Sequence, residues 1–542
     1  MPENHSGRPE NGRPVHSFRK DGERKPFGGH EASDRSAKPF AKRSEGRSFE
    51  RKPGERPFAK RDEGRSFEHR PGERPFAKRG EGRSFGTAKP QHSKLTNLQP
   101  RRVALDTLLD VSGKGAYASL ALEKRLDGAK LSERDRAFVT KLVYGTIEKR
   151  IQLDWRIDQY IDKDKELDPT LREILRMGAY QLFCLDRVPD MAAVDESVTL
   201  TRAMGLEGLT GLTNAVLRSM IREPEKVVFP KPEEDPVRYL SITFSAPEEL
   251  CRLLVDAYGE HEAMEILRYK PEGSPVVLRA NRMRCPDERL ERLLLDEGLN
   301  WTRGIVPGTY VIRNAGDLTA LRGYANGLYT IQGESSVLAA RAIQAQPGQV
   351  ILDACAAPGG KSAVLSEEMQ DSGRVYAWDT HPHRVELIRR TAERLHLENI
   401  RPMIRDASQP RPEMDATIDA ALVDAPCSGT GVISEKPDLK YRITEDGVRS
   451  LCGVQASILE AVAPMVKPGG TLVYSTCSIL PAENTQRVRA FLDAHPEYEP
   501  YPMGDLLPEA IRGKETAEGL QLLAHQDGMD GFFIARLRRK KK

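Results

Sequence analysis

The apolar positions between residue 98 and about residue 223 recur at the three- and four-residue spacing of amphipathic helices. Two helix starts lie in this stretch, because Ser132–Asp135 resembles a capping box and Asp168-Pro169 is an N-cap followed by proline at the first helical position. Several amphipathic helices of this length predict an all-α bundle. The clearest apolar faces are those of Ala104, Leu105, Leu108 and Leu109 and of Phe138, Val139, Leu142 and Val143.

From Gln349 onward, short and nearly continuous apolar runs alternate with helical segments. Such runs are typical of strands buried on both faces, so this region predicts a doubly wound, mostly parallel sheet. Before it lie a proline-rich linker at 224–236 and a small α+β piece of strand Val276–Ala280, helix Asp287–Glu297 and strand Tyr310–Arg313. The later strands are Val350–Asp353, Val375–Asp379, Ala420–Asp424 and Leu472–Ser475, separated by helices such as His383–Leu395 and Gln455–Met465.

The first 94 residues have a different composition, with a Pro-Phe motif that recurs every 18 residues. They carry 24 Lys and Arg against 14 Asp and Glu, a net charge of +10, whereas the remaining chain carries −7. Because aliphatic side chains are almost absent, we expect this tail to be disordered. Two interpretations stay open: Phe40, Phe58 and Phe76 stack on single-stranded RNA beside the arginines, or the tail is solvated and has no specific role.

The remaining composition bounds the protein class. A chain of 542 residues predicts two or three domains. Its seven scattered cysteines form no CxxC pair and no zinc spacing, so we expect a reducing compartment and no metal site. The absence of a charged-then-apolar leader and of any apolar run near 18 residues favours a cytoplasmic protein without membrane insertion.

A glycine-rich turn, Cys355–Lys361, joins the first strand of the predicted parallel sheet to a helix. Such a turn lets a ligand approach the backbone at the carboxyl edge of the sheet. A Walker A phosphate loop is excluded, because its first glycine would fall at Cys355 and Pro358 removes an amide that phosphate needs. The turn therefore predicts a nucleotide-like ligand other than a nucleoside triphosphate.

Carboxylates end successive strands of this sheet. Asp379 lies 19 residues after Gly360, where it can accept hydrogen bonds from both ribose hydroxyls, and Asp406 and Asp424 follow at the next two strand ends. The dinucleotide signature GxGxxG is absent. We therefore expect S-adenosylmethionine rather than NAD.

Two cysteines follow adjacent strands of the sheet. Cys427 lies in the block Asp424–Gly431, and Cys477 follows the next strand in a Ser-Thr-Cys-Ser block. A thiolate that adds to C6 of cytosine makes C5 nucleophilic, and a second thiol can assist release after methylation. Asp424 can hold or protonate the edge of the base that becomes negative, with Lys361 as a nearby cation. This reasoning does not decide which cysteine attacks.

These blocks resemble the NusB-domain-containing, RsmB-type (Sun/Fmu) family of ribosomal RNA cytosine-C5 methyltransferases, over about residues 98–542. The helical part matches in 131–136, 142–146, 176–182 and 214–218, and the catalytic part in 355–361, 424–431, 467–477 and 530–533.

The resemblance implies that Cys477 is the nucleophile and Cys427 the release thiol, with Asp424 and Lys361 completing the catalytic set. DNA cytosine-C5 enzymes use the cysteine of a Pro-Cys pair instead, which would point to Cys427. The substrate implied is RNA, namely 16S rRNA, and a monomer is the default. The residues implied to bind S-adenosylmethionine are Cys355, Ala356, Ala357, Pro358, Gly359, Gly360, Lys361, Asp379, Asp406 and Asp424.

The resemblance also implies a multidomain organisation: a tail at 1–94, an all-α NusB-like RNA-binding domain at 95–225, a linker with an RRM-like α+β insertion at 226–333, and a Rossmann-like class I methyltransferase domain at 334–542. Two positions depart from the family pattern, Glu249 where tryptophan is common and Gly333 where an acid is usual.

An RNA-binding assembly factor without turnover is the competing hypothesis, and a DNA cytosine methyltransferase is disfavoured by the Ser-Thr-Cys block.

Overall fold

The computed structural model describes residues 92–162, 166–273 and 275–541. The tail predicted over 1–94 lies outside these residues except for its last three, which belong to the first helix. The N-terminal region is the predicted all-α bundle, and its two predicted apolar faces pack into one core. Its helices are α1 His92–Lys114, α2 Ala118–Asp127, α3 Glu133–Glu148, α4 Arg150–Ile157, α5 Pro169–Cys184, α6 Asp190–Ala203 and α7 Thr210–Arg222.

Both predicted helix starts are confirmed. The hydroxyl of Ser132 accepts a hydrogen bond from the backbone N–H of Asp135 at 3.2 Å, ahead of α3. The carboxylate of Asp168 accepts from the N–H groups of Thr170 and Leu171 at 2.8 and 3.0 Å, ahead of α5. In both cases a side chain satisfies N–H groups that have no partner within the helix.

The stretch predicted as a linker contains no α-helix or strand over residues 224–235, but three helices that were not predicted follow it. Asp235 caps the first of them by accepting from the N–H of Arg238 at 2.9 Å, so Pro236 begins a helix rather than preventing one. Their apolar faces pack together with residues of the C-terminal region. They are α8 Pro236–Phe244, α9 Glu248–Tyr258 and α10 Glu260–Arg268.

The predicted strand–helix–strand piece is confirmed and is part of a four-stranded antiparallel sheet in the order β2-β3-β1-β4. Two short strands in it were not predicted. The elements are β1 Val276–Ala280, α11 Asp287–Asp296, β2 Trp301–Arg303, β3 Thr309–Ile312, α12 Arg322–Ala325 and β4 Tyr329–Ile331.

The C-terminal region contains the predicted doubly wound sheet, in which β9, β8, β5, β6 and β7 are parallel neighbours. Strand β12 extends it antiparallel to β9, and β10 and β11 pair with β12. The strands are β5 Val350–Asp353, β6 Arg374–Asp379, β7 Ile400–Ile404, β8 Ile418–Asp424, β9 Val466–Thr476, β10 Tyr498–Pro500, β11 Leu520–Leu522 and β12 Phe532–Arg539.

Helices cover both faces of this sheet, with one apolar core on each side. Helix α16 begins ten residues earlier than predicted, where Thr444 caps it through the N–H of Gly447 at 3.1 Å. Among the described residues, no helix combines the length and the apolar character that crossing a bilayer requires. The helices are α13 Glu334–Arg341, α14 Gly360–Glu368, α15 Pro382–Leu395, α16 Glu445–Val462, α17 Thr485–Ala494, α18 Glu509–Arg512 and α19 Ala524–Asp527.

Candidate active site

The carboxyl ends of the five parallel strands lie along one edge of the sheet, and every predicted site residue is at this edge. Read across the sheet, the order is Cys477 after β9, Cys427 after β8, the turn Cys355–Lys361 after β5, Asp379 at the end of β6 and Asp406 after β7. The site therefore follows from the order of the strands, which brings together residues that are more than 100 positions apart.

Backbone hydrogen bonds, within the turn and to β6, fix the glycine-rich turn. The N–H of Ala356 donates to the carbonyl of Trp378 at 2.8 Å, and the N–H of Gly359 donates to the carbonyl of Ala356 at 2.7 Å. Gly359 has a φ of 104°, a left-handed conformation that glycine adopts without steric cost. Burial raises the pKa of the Cys355 thiol, so this cysteine lines the cleft as a neutral thiol rather than acting as a nucleophile.

The acids along the edge suit a nucleoside cofactor with an amino-acid arm. Asp379 is almost buried and accepts from the N–H of His381 at 3.1 Å. Asp353, at the end of β5, is fully buried, and burial raises its pKa to about 7; its Oδ1 has no hydrogen-bond partner. Hydroxyl and ammonium donors of S-adenosylmethionine would satisfy such oxygens. Asp406 is exposed, and a hydrogen bond from the Ser408 hydroxyl at 2.7 Å lowers its pKa.

The two cysteines form the centre of the site. Their Sγ atoms are 3.3 Å apart, which is beyond a disulfide bond and within reach of a thiol–thiolate hydrogen bond. A hydrogen bond between the two sulfurs lowers the pKa of Cys477, and Lys361 and Lys436 are further favourable charges against the opposing effects of burial and Asp424. The same hydrogen bond and burial raise the pKa of Cys427 well above its usual value. These shifts favour a Cys477 thiolate and a neutral Cys427 thiol.

A half-buried ion pair lies beside the thiols. The Nζ of Lys361 donates to Oδ2 of Asp424 at 2.8 Å, and the hydroxyl of Ser475 donates to Oδ1 at 2.8 Å. Burial acts to lower the pKa of Lys361, but the charge of Asp424, its hydrogen bond and the charge of Asp353 together raise it. The ammonium also lies 5.4 Å from the ring centre of Phe532. This side of the cleft thus holds a fixed positive charge at neutral pH.

Glu483 is a functional residue that sequence reasoning missed. Its buried carboxylate accepts from the hydroxyls of Ser428 and Ser478, both at 2.5 Å, and from the N–H of Ser428 at 2.9 Å. Each serine directly follows one of the two cysteines, so one carboxylate holds both cysteine loops together. The only sequence signal is a Glu-Asn pair before α17, which cannot be told from an ordinary helix cap.

The motif around Asp530 supports the loop that carries Cys427. The N–H of Gly531 donates to the carbonyl of Gly431 at 3.0 Å, and the N–H of Gly431 donates to the carbonyl of Cys477 at 2.9 Å. A Cβ on Gly431 would lie 2.0 Å from the carbonyl oxygen of Gly531, so the two backbones touch. Glycine is needed at residue 431 for this close approach.

The two departures from the family pattern have different surroundings. Glu249 accepts a hydrogen bond from the N–H of Glu445 at 3.3 Å, at the start of α16. A Cβ on Gly333 would lie 2.8 Å from Oδ2 of Asp530. An acid at residue 333 would therefore place two carboxyl groups together unless Asp530 moved.

Comparison with known proteins identifies the family. The 16S rRNA methyltransferase RsmB/F family matches residues 340–538, and the NusB family matches residues 98–222. The probable ribosomal RNA small subunit methyltransferase B of Bacillus subtilis is 39% identical over 442 residues, which are 81% of this chain and 98% of that protein. The chain belongs to the RsmB/F family of 16S rRNA methyltransferases.

Other relatives agree with this assignment. Ribosomal RNA small subunit methyltransferase B of Pseudomonas putida is 33% identical over 447 residues, covering 81% of this chain and 98% of that protein. The crystal structure of PH0851 shares the fold with a TM-score of 0.69 at 24% identity, covering 82% of this chain and 99% of that one. The cofactor of this RsmB/F protein is accordingly S-adenosylmethionine, as predicted.

Proposed function

We propose that this protein methylates C5 of a cytosine in small-subunit (16S) ribosomal RNA through a covalent bond between Cys477 and C6 of the base, released with help from Cys427. The observation that carries the proposal is the thiol pair at 3.3 Å, in which the pKa of Cys477 is lowered and that of Cys427 is raised. The substrate class is supported by the relatives, which are named as methyltransferases of ribosomal RNA of the small subunit.

In the first step the Cys477 thiolate forms a bond to C6, and the electron pair displaced from the C5–C6 double bond makes C5 nucleophilic. Negative charge spreads to the pyrimidine edge, where the Lys361 ammonium offsets it and Asp424 holds the exocyclic amine. S-adenosylmethionine, which the residues of the turn and the strand-end acids would hold, would supply an electrophilic methyl group and leave as S-adenosylhomocysteine. The base is neutral once C5 carries the methyl group.

In the second step the proton on C5 must leave. The negative charge of Cys477, which raises the pKa of Cys427, disappears once Cys477 is bonded to carbon. Cys427 can then lose its proton to solvent and take the C5 proton, while the C6–S bond breaks and returns the Cys477 thiolate. One proton is released overall, as exchange of C5–H for C5–CH3 requires.

The target cytosine must be turned out of its stack to reach this cleft, since the thiols lie at the sheet edge below the surrounding loops. A small-subunit ribosomal RNA substrate agrees with a cytoplasmic enzyme, and a monomer suffices because one chain supplies both cysteines, Lys361 and Asp424.

The test is to incubate the protein with S-adenosylmethionine and 16S rRNA and to measure both methyl incorporation and denaturation-resistant protein–RNA adduct. We expect Cys427→Ala to accumulate the adduct, because attack proceeds and elimination fails. Cys477→Ala should form no adduct and transfer no methyl. Cys184→Ala, which removes a thiol from the helical bundle, is the matched control and should behave as wild type.

Methyl transfer by Cys477→Ala would overturn the assignment of the nucleophile. Absence of methyl transfer by the wild-type protein to any RNA would favour the binding factor without turnover.

A further inference from the structure

A cavity of about 240 Å³ lies between the helical bundle and the segment that follows Cys427. The end of α3, the end of α8 and the end of α10 form one side of it, and residues 433–440 form the other. Most of its charged lining is basic. The basic lining residues are Lys149, Arg268, Lys270 and Lys440, and the aromatic ones are Phe244 and Tyr269.

The three lysines of this cavity have too little negative charge around them. Lys270 pairs with Glu148, the carboxylate that lines the cavity. Lys440 is buried and donates to the carbonyls of Glu148 and Phe244 at 2.8 and 3.2 Å. Lys149 makes no side-chain hydrogen bond or ion pair with the described residues. Burial and then the charge of Lys270 lower its pKa, against the opposing charge of Glu148, which already pairs with Lys270.

The cavity is connected to the active site through one stretch of chain. Ile433 and Ser434 line it, and both also line a smaller neighbouring cavity together with Thr430 and Gly431. Gly431 is hydrogen-bonded to the carbonyl of Cys477 at 2.9 Å. An anion in the larger cavity would therefore lie beside the loop that carries the release thiol.

Phosphate fits this chemistry better than the alternatives. Ammonium groups act as strong point charges for phosphate oxygens, and the hydroxyls of Thr243 and Ser434 in the lining can donate as well. An apolar ligand would remove water from these lysines and offer no acceptor to Lys149, which is unfavourable.

We propose that this cavity binds a backbone phosphate of the RNA strand that carries the target base, with Lys149 as its principal contact. This inference rests on the proposed function for the identity of the strand. The phosphate chemistry itself is shared with free inorganic phosphate, so the experiment must separate the two sources.

The test measures binding of a small-subunit ribosomal RNA fragment to the full chain by fluorescence anisotropy over a salt series. We expect Lys149→Gln to weaken binding by about 5- to 10-fold and to lower the slope of log affinity against log salt by about 1, because one phosphate contact is lost. Lys149→Arg keeps the charge and should bind nearly as wild type. Lys130→Gln, an exposed lysine with the same loss of charge, is the control and should retain the slope.

Unchanged affinity and slope in Lys149→Gln would overturn the proposal, provided that its thermal unfolding midpoint matches wild type. Inorganic phosphate at constant ionic strength should compete with RNA more effectively for wild type than for Lys149→Gln. If phosphate binding depends on Lys149 but RNA affinity does not, the site serves free phosphate and the RNA assignment is wrong.

Methyl transfer by wild type to the same RNA is measured in parallel. Loss of RNA affinity in Lys149→Gln together with no methyl transfer by wild type would contradict the proposed function and leave the phosphate site standing. Normal methyl transfer by wild type with no effect of Lys149→Gln on binding would contradict the phosphate site and leave the proposed function standing.

Discussion

The loops that carry Cys427 and Cys477 follow neighbouring parallel strands and bring their sulfurs to 3.3 Å, yet their electrostatic surroundings differ. Cys477 has the Lys361 and Lys436 ammonium groups as favourable charges, whereas Glu483 is among the causes that raise the pKa of Cys427. The pKa values of two chemically equal thiols thus shift in opposite directions. The difference teaches that the hydrogen bond between the sulfurs, with charges from other elements added to it, favours Cys477 as nucleophile and Cys427 as release group.

The largest effect on this comparison should come from removing the cation. Lys361→Met should lower kcat/KM by about 10²- to 10³-fold, because the charge that develops on the base loses its counterion. It should also raise the pKa of Cys477. Since the thiolate is the reactive form, we expect the acid limb of the kcat/KM profile to lie below the usual thiol pKa in wild type and to move to higher pH in Lys361→Met.

The control for this prediction is Lys467→Met. Lys467 in β9 pairs with Asp419 in β8 at 2.5 Å, at the ends of these strands that lie away from the thiols. Its loss therefore removes another Lys–Asp ion pair without changing the charge beside the cysteines. An unmoved acid limb in Lys361→Met would show that Cys477 owes its low pKa to other groups.

Glu483 joins the two loops, so its removal should affect both cysteines. Glu483→Ala should lower kcat by about 10- to 100-fold with little change in KM, because substrate contacts remain while the sulfurs lose their spacing. It should also lower the free energy of unfolding by about 1–3 kcal/mol, since Ser428 and Ser478 lose an acceptor.

Glu460→Ala removes an exposed carboxylate from α16 and serves as the control. It should change neither kcat nor the free energy of unfolding appreciably. Glu483→Gln keeps the shape and one acceptor oxygen, so it should recover most of the stability. A KM effect without a kcat effect in Glu483→Ala would contradict a positioning role.

The smallest effect should come from Gly333→Asp, which restores the acid usual in the family. The new carboxylate would crowd Asp530, whose neighbour Gly531 hydrogen-bonds to Gly431 in the loop that carries Cys427, and should lower the free energy of unfolding by about 1–2 kcal/mol. The initial rate of methyl transfer should fall less than 10-fold, because the cysteines and Lys361 keep their own contacts. Gly208→Asp has nothing within 4 Å of the added Cβ and serves as control. A fall in the rate of more than 10-fold would contradict this ranking.

The doubly wound sheet could be predicted because its buried strands are nearly continuous apolar runs that end in acids. Val350–Asp353 was predicted to the residue, and Ala420–Asp424 lies wholly within β8. Helices α8–α10 were missed because the prolines before them indicate an interruption of helical structure. Pro236 instead occupies the first helical position, where its missing N–H costs nothing.

The site could be predicted only in part, for a similar reason. Adjacent strand ends bring Cys427 and Cys477 together whatever the side chains around them, so their proximity follows from topology. The hydrogen bond between the two thiols is the largest cause of both pKa shifts, and sequence spacing does not encode it. Glu483 was missed because its partners come from two different loops.

The most direct test of the central claim is to find which sulfur bonds to the base. Small-subunit ribosomal RNA containing 5-fluorocytidine should trap wild type after methyl transfer, because fluorine cannot leave C5 as a cation and elimination fails. Mass spectrometry of the digested adduct should locate the nucleotide on the peptide that contains Cys477. A nucleotide on the peptide that contains Cys427 would contradict the account.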